Sequence, residues 1–177
     1  MRITMSGLPG SGTTTLGRML ADRYHCEYIS VGEVFRSMAA ERSLSLAAFG
    51  AFCESDPAID RLLDERQRDL VLSSDAIIAE GRLSGWMIPE ADLKIWLFAP
   101  ISCRVARVYD RDRCEDTQAA EAETLAREAS EATRYLQYYG IDISALDPYD
   151  LVLNSERFSP EQLAAIVDVS VNFLEKI

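Results

Sequence analysis

Residues Gly7-Leu8-Pro9-Gly10-Ser11-Gly12-Thr13-Thr14 have the types and spacing of a phosphate-gripping loop, with one departure. The pattern G-x-x-x-x-G-K-[ST] is met everywhere except at Thr13, where the lysine belongs. Such a loop wraps backbone N–H groups and a helix N-terminus around a polyphosphate. Thr14, followed by Thr15, would offer its hydroxyl to a magnesium ion carried by the nucleotide. The competing reading is an ordinary Gly/Pro turn, and the flanks argue against it. Arg2–Ser6 reads as a short strand and Thr14–Tyr24 as a helix, which is the context the motif requires.

Phosphoryl transfer depends on positioning and charge neutralisation, so cations that share a face are the next residues to find. Arg104, Arg107 and Arg111 recur at i, i+3, i+7 on one helix, away from Ile101, Val105 and Val108. Arg127 and Arg134 are seven apart on the next helix and also face one way. A solvated face paired with Asp and Glu is the alternative for both stripes. Arg82 follows an apolar strand in Glu80-Gly81-Arg82, and residues at the carboxyl ends of parallel strands face the ligand crevice. Gly81 there lets the backbone approach a phosphate. Ser30 is placed to cap the following helix, with Arg36 one turn in. Asp60 and Asp64 sit on a charged helix face; they either pair with neighbours or accept from the exocyclic amine of a base. Trp86 either stacks on a base or fills the core. His25, the only histidine, stands at a helix end and suits a dipole partner, so a hydrolytic triad is excluded.

These groups need a scaffold, and the pattern supplies one. Strand-like runs at Arg2–Ser6, Glu27–Ser30, Ala76–Ala79, Lys94–Ala99 and Asp150–Asn154 alternate with helical stretches. That alternation predicts a five-stranded parallel sheet covered on both faces, a three-layer α/β architecture with the phosphate loop after its first strand. Residues 31–74 carry three helical segments, more than a crossover needs. Asp110–Ala122 is polar, with Arg111, Arg113, Glu115, Asp116 and Glu121, and reads as a mobile cover or an acidic surface loop.

The chain has 177 residues, 48% hydrophobic and 27% charged, which fits one domain. A net charge of −11 argues against nucleic acid as a partner. No apolar run approaches a membrane span, and no leader pattern is visible, so no membrane partner and a cytoplasmic location are expected. Four scattered cysteines suit neither a zinc site nor a disulfide framework. Lys94 and Lys176 are the only lysines, so sixteen of the 18 basic residues are arginine. Any phosphate clamp here is built from guanidinium forks.

The sequence resembles the archaeal-type cytidylate kinases, P-loop nucleoside monophosphate kinases. The likeness runs through Gly7–Thr15, Ser30-Val31-Gly32-Glu33-Val34-Phe35-Arg36, Asp56-Pro57 with Ile59-Asp60, and Asp64-Glu65-Arg66-Gln67. It continues through Glu80-Gly81-Arg82-Leu83-Ser84-Gly85-Trp86-Met87, Arg127-Glu128-x-Ser130-Glu131-x-x-Arg134-Tyr135, Tyr138–Asp142 and Tyr149–Asn154. The resemblance implies a kinase core (1–30, 75–106 and 135–177), a helical monophosphate-binding insert (31–74) and a lid (about 107–134). It implies ATP as donor on Gly7–Thr15, with magnesium at Thr14, and CMP or dCMP as acceptor near Ser30, Arg36, Asp60, Asp64, Gly81 and Arg82. Arg107, Arg111, Arg127 and Arg134 take the lid and transition-state contacts, in a monomer acting on small nucleotides. A UMP, AMP or metabolite kinase, and a nucleotide-binding module without catalysis, are the alternative readings. Loss of the loop lysine removes a donor to transition-state charge. Arg111 or Arg127 is the first expected substitute.

Overall fold

The computed structural model describes residues 1–54, 57–112 and 116–174. Five strands, β1 (Arg2–Gly7), β2 (Glu27–Ser30), β3 (Ile77–Glu80), β4 (Leu93–Phe98) and β5 (Leu151–Asn154), form one sheet in the order β2-β3-β1-β4-β5. Every pairing is parallel. The expected three-layer α/β architecture therefore forms, with strand ends within a residue or so of the pattern.

The pleat sorts the strand residues. Ile3 and Met5 of β1 are in register with Ile78 and Glu80 of β3 and with Leu93 and Ile95 of β4. That face buries Ile3, Met5, Ile78 and Ile95 against Leu16 and Leu20 of α1 (Thr13–Tyr24) and Leu163 and Val167 of α8 (Pro160–Leu174). The opposite face packs Ile77 and Ala79 against Val71 and Ile88, and Trp96 against Leu83, Tyr135 and Ile143. Because Glu80 shares the pleat face of Ile78, its carboxylate emerges on the α1 side, at the carboxyl edge of the sheet.

Three helices follow β2: α2 (Val31–Glu41), α3 (Leu46–Cys53) and α4 (Pro57–Ser73). Phe35, Ala39, Phe49, Cys53 and Leu63 give them a small core of their own. A one-turn α5 (Ser84–Met87), which the periodicity does not reveal, then precedes β4. Helix α6 (Ile101–Asp112) ends short of residues 113–115, and α7 (Thr117–Tyr139) begins at Asp116, whose side chain accepts from Ala119 N–H at 2.7 Å. Arg113 and Glu115 of the polar segment, Asp56 of the Asp-Pro motif and Lys176 lie outside the described residues. His25 closes α1 in the left-handed region (φ 51) with its backbone N–H on Ala21 and Asp22 carbonyls. Trp86 packs with the Trp96–Tyr135 cluster, as the core reading of it expects. No helix among the described residues is long and apolar enough to cross a membrane.

Candidate active site

Gly10 (φ 80) and Gly12 (φ 94) turn the loop in left-handed backbone before α1 starts at Thr13. No side chain caps that helix end, so the N–H groups of its first turn face outward unsatisfied, as an anion site requires. They open on a cleft of about 450 Å³. Its walls come from the loop, with Thr13, Thr14 and Thr15, and from Arg36, Glu80, Arg82, Arg107 and Arg111. The Thr14 hydroxyl is on this wall and makes no hydrogen bond to a described residue, so it is free to serve a ligand.

Thr13 donates its hydroxyl to Glu80 Oε1 at 2.7 Å, and both residues line the cleft. Glu80 is 4% exposed and also accepts from Ser30 Oγ, and from Tyr28 at 3.3 Å. Ser30 meanwhile caps α2, its Oγ accepting from Glu33 N–H at 3.2 Å. Three hydroxyls thus solvate one buried carboxylate, and the cluster ties the phosphate loop to the first turn of α2. Sequence reasoning gave Glu80 no role; only the β1–β3 register brings it beneath Thr13.

A second, smaller pocket adjoins the cleft and shares Gly32, Glu80 and Arg82 with it. Its volume is about 30 Å³, room for a water molecule. Asp60, Asp64, Gly81, Arg127, Glu131 and Arg134 line it. Glu131 is the hub: it accepts from Arg82 Nε at 2.7 Å and Arg127 Nε at 2.9 Å. Burial pushes its carboxyl upward, yet Arg82 and Arg127 outweigh burial and hold it at about 2. Arg82 also donates to the Gly7 carbonyl, fixing it between loop and pocket. Glu131 appeared in the sequence only as a motif letter.

The expected catalytic arginines divide. Arg107 is fastened beneath the loop, donating to Ser155 O at 2.7 Å, Ser155 Oγ at 3.0 Å and Gly10 O at 3.2 Å. Its neighbour Arg104, read in the sequence only as part of the basic stripe, is 5% exposed and donates to Ala99 O at 3.0 Å, Pro9 O at 3.2 Å and Glu128. Together they brace the loop through its carbonyls. Arg111 reaches the cleft wall but pairs with Asp112. Arg127 lies in the small pocket. Arg134, 1% exposed, donates to Asp60 at 2.7 Å, Ser130 Oγ at 2.8 Å and Gly50 O at 3.1 Å, and so locks α7 to α3 and α4. Arg36 behaves differently. It is half-buried on the cleft wall and makes no hydrogen bond or ion pair to a described residue. Burial, then the nearby Arg111 and Arg127, lower its pKa.

Asp60 and Asp64, on one side of α4, are not a solvated face: Asp60 is buried and Asp64 partly buried. Asp64 accepts from the Tyr139 hydroxyl at 2.8 Å through Oδ2. Burial raises its carboxyl from 3.8 to about 7, against the pull of that hydrogen bond. The folded protein therefore holds a proton that the unfolded chain releases, and stability falls as pH rises from about 4 to about 7. Asp64→Asn removes this slope. We expect a gain of about 1–2 kcal/mol in urea unfolding at pH 8 and little change near pH 4; an equal effect at both pH values would contradict the assignment.

Three kinds of likeness to known proteins accompany this geometry: a family model, curated relatives and solved structures. The family model described as the cytidylate kinase-like family matches residues 2–157. The chain is 60% identical over 176 residues to a cytidylate kinase of Methanospirillum hungatei, covering 99% of each. It is 46% identical over 176 residues to one of Methanosarcina barkeri, covering 98% of each. Among solved structures, a shikimate kinase from Bacteroides thetaiotaomicron matches with a TM-score of 0.61 at 13% identity, over 97% of this chain and 98% of that one. An uncharacterized protein from Eubacterium ventriosum gives 0.69 at 13% identity, over 100% and 99%. At such identities these two structures speak to the fold alone.

Proposed function

The chain belongs to the cytidylate kinase-like family, and on that premise we propose that it moves the γ-phosphate of ATP to CMP or dCMP, giving ADP and CDP or dCDP. The observation that carries this reading is the shared wall. A phosphate-loop cleft and a second, Arg- and Asp-lined pocket meet at Gly32, Glu80 and Arg82. A module that only binds one nucleotide has no use for the second pocket.

The triphosphate lies along the Gly7–Thr15 amides, with the γ-phosphate toward Arg82. An oxygen of the CMP phosphate attacks the γ-phosphorus in line, and the bond to the β–γ bridging oxygen breaks; no enzyme nucleophile takes part. Arg36, Arg82 and Arg127 gather around the acceptor phosphate. Glu131 aims two of them by occupying their Nε donors, leaving Arg82 Nη2 and both terminal nitrogens of Arg127 for the phosphate. Magnesium on the triphosphate supplies further charge neutralisation, and Thr14 is the residue that would hold it, its hydroxyl free at the uncapped end of α1. Arg107 and Arg104 act indirectly by keeping the loop in shape.

The acceptor pocket is closed, so CMP entry requires the insert (31–74) to move from α7, with the lid (about 107–134) closing over the donor. When ionised, Asp64 has Oδ1 unengaged by described residues, which suits the N4 amine of cytosine; uracil presents an acceptor there. Relatives at 46–60% identity bear the name cytidylate kinase, which supports the same acceptor. The chain would work as a monomer in the cytoplasm, without nucleic acid or membrane. A coupled assay of ADP release across CMP, dCMP, UMP and AMP tests the reading. CMP or dCMP should exceed UMP and AMP by about tenfold or more in kcat/KM; a preference for UMP or AMP would make this a different monophosphate kinase.

A further inference from the structure

A lysine in the phosphate loop normally brings a positive charge to the β- and γ-phosphates, and this chain has none before residue 94. The side chain that takes its position is engaged elsewhere: Thr13 donates to the buried Glu80. A lysine at 13 would meet the same carboxylate and be neutralised by it. The cation has to come from another element.

The arginines around the cleft can be sorted by what already occupies them. Arg82 and Arg127 share Glu131, Arg107 is spent on Ser155 and the Gly10 carbonyl, and Arg111 is paired with Asp112. Arg36 alone of these five has its whole guanidinium unengaged by a described residue, although it is half-buried. Desolvating a charge without a partner is costly, and a site keeps such a group where a ligand supplies the counter-charge. Its position fits. A Cβ built on Gly32 would stand 3.6 Å from Arg36 Nη1 and 3.8 Å from Ser30 Oγ, so Gly32 keeps open the space between the guanidinium and the hydroxyl cluster that includes Thr13. Arg36 and Thr13–Thr15 line the same cleft. Arg111 and Arg127 press on it with like charge, opposed only through space by Glu80 and Glu33, and an anion bound among the three arginines relieves that.

We infer that Arg36 does the work of the missing loop lysine: it contacts the γ-phosphate of the donor, from α2, and is not confined to the acceptor's phosphate. The inference rests on the ATP-dependent kinase reading and goes further by assigning a donor contact to the acceptor-side insert. It also replaces the expectation that Arg111 or Arg127 fills this role. One consequence is that α2 senses the donor. Movement of the insert then carries a γ-phosphate ligand toward or away from the loop, so ATP and ADP hold the insert differently.

The test is binding without acceptor. ATP and ADP are titrated separately, in one magnesium buffer with no CMP, against wild type, Arg36→Ala, Arg36→Lys and the double variant Thr13→Lys/Arg36→Ala. Wild type should bind ATP about tenfold more tightly than ADP, the scale of one charged hydrogen bond. Arg36→Ala should lose that preference while ADP affinity stays within about twofold, because ADP lacks the phosphate that Arg36 contacts. Arg36→Lys should keep most of the preference, and the double variant should not recover it, because Glu80 would neutralise a lysine at 13. Melting of Arg36→Ala should not fall below wild type, since no protein acceptor is lost. An unchanged ATP-to-ADP ratio in Arg36→Ala would overturn the inference, as would a wild type with no preference. Failure of the kinase reading shows separately, as absent CMP phosphorylation by wild type.

Discussion

Glu131→Gln should lower kcat by roughly 10²–10³ and destabilise the fold by about 3 kcal/mol. The substitution keeps the shape of the side chain and removes its charge. Arg82 and Arg127, with side chains 13% and 9% exposed, would then be two guanidinium groups facing each other without their shared anion. Breaking a buried pair from one side leaves an uncompensated charge, which is where the large cost arises. The activity loss follows from orientation. Glutamine keeps one acceptor oxygen and turns an NH2 donor toward the other arginine, so one Nε loses its acceptor, the other loses its charged partner, and the two guanidinium groups are no longer held in place. The pH profile carries a matching signature. Glu131 is held at about 2 against a usual 4.5, so its contribution is complete above about pH 4.5 and disappears as pH falls toward 2. The variant should lack that slope. Steady-state kinetics and urea unfolding at pH 3 and pH 7 measure both effects. A kcat within about threefold of wild type would show that Glu131 does not organise the site.

Gly10→Ala should abolish donor binding, with ATP affinity down by about 10²-fold or more. The backbone there has φ 80, and an added Cβ would lie 2.5 Å from the Arg104 carbonyl oxygen. That neighbour is α6 backbone and cannot swing aside. Left-handed strain of about 1–2 kcal/mol is the smaller part; displacement of the loop from its ring of amides is the larger. Gly140→Ala is the control. It shares the left-handed backbone (φ 68) as the cap of α7, but no atom lies within 4 Å of the added carbon. It should cost only about 1 kcal/mol in stability and leave ATP affinity unchanged. Calorimetric titration of both variants separates strain from collision; ATP binding by Gly10→Ala within about twofold of wild type would refute the collision argument.

Much of this site was visible in one dimension. The loop was legible because its demands are local: glycines where φ is positive and a hydroxyl at the helix start. The parallel strands were legible because they are short apolar runs between amphipathic helices. The one-turn α5 was not, since four residues display no period. Pairing across the fold was the larger gap. Arg127 and Glu131 are four apart and could be matched on one helix face, but Arg82 joins them from a strand end 49 residues away. Asp60 and Arg134, 74 apart, look like separate solvated charges until α4 packs beside α7. Arg107 bonds to the Gly10 carbonyl 97 residues earlier, and backbone acceptors leave no mark in a sequence. The arginine stripe on α6 was correctly seen as a face. Its target, the underside of the phosphate loop, required the sheet order.

The central claim is that donor and acceptor phosphates meet across the wall formed by Gly32, Glu80 and Arg82. It is tested most directly by titrating wild type with adenosine and cytidine joined through five phosphates, one molecule that spans both pockets. The account predicts binding at least about 10²-fold tighter than ATP or CMP alone, because one ordering step replaces two. Affinity no better than that of ATP alone would contradict it.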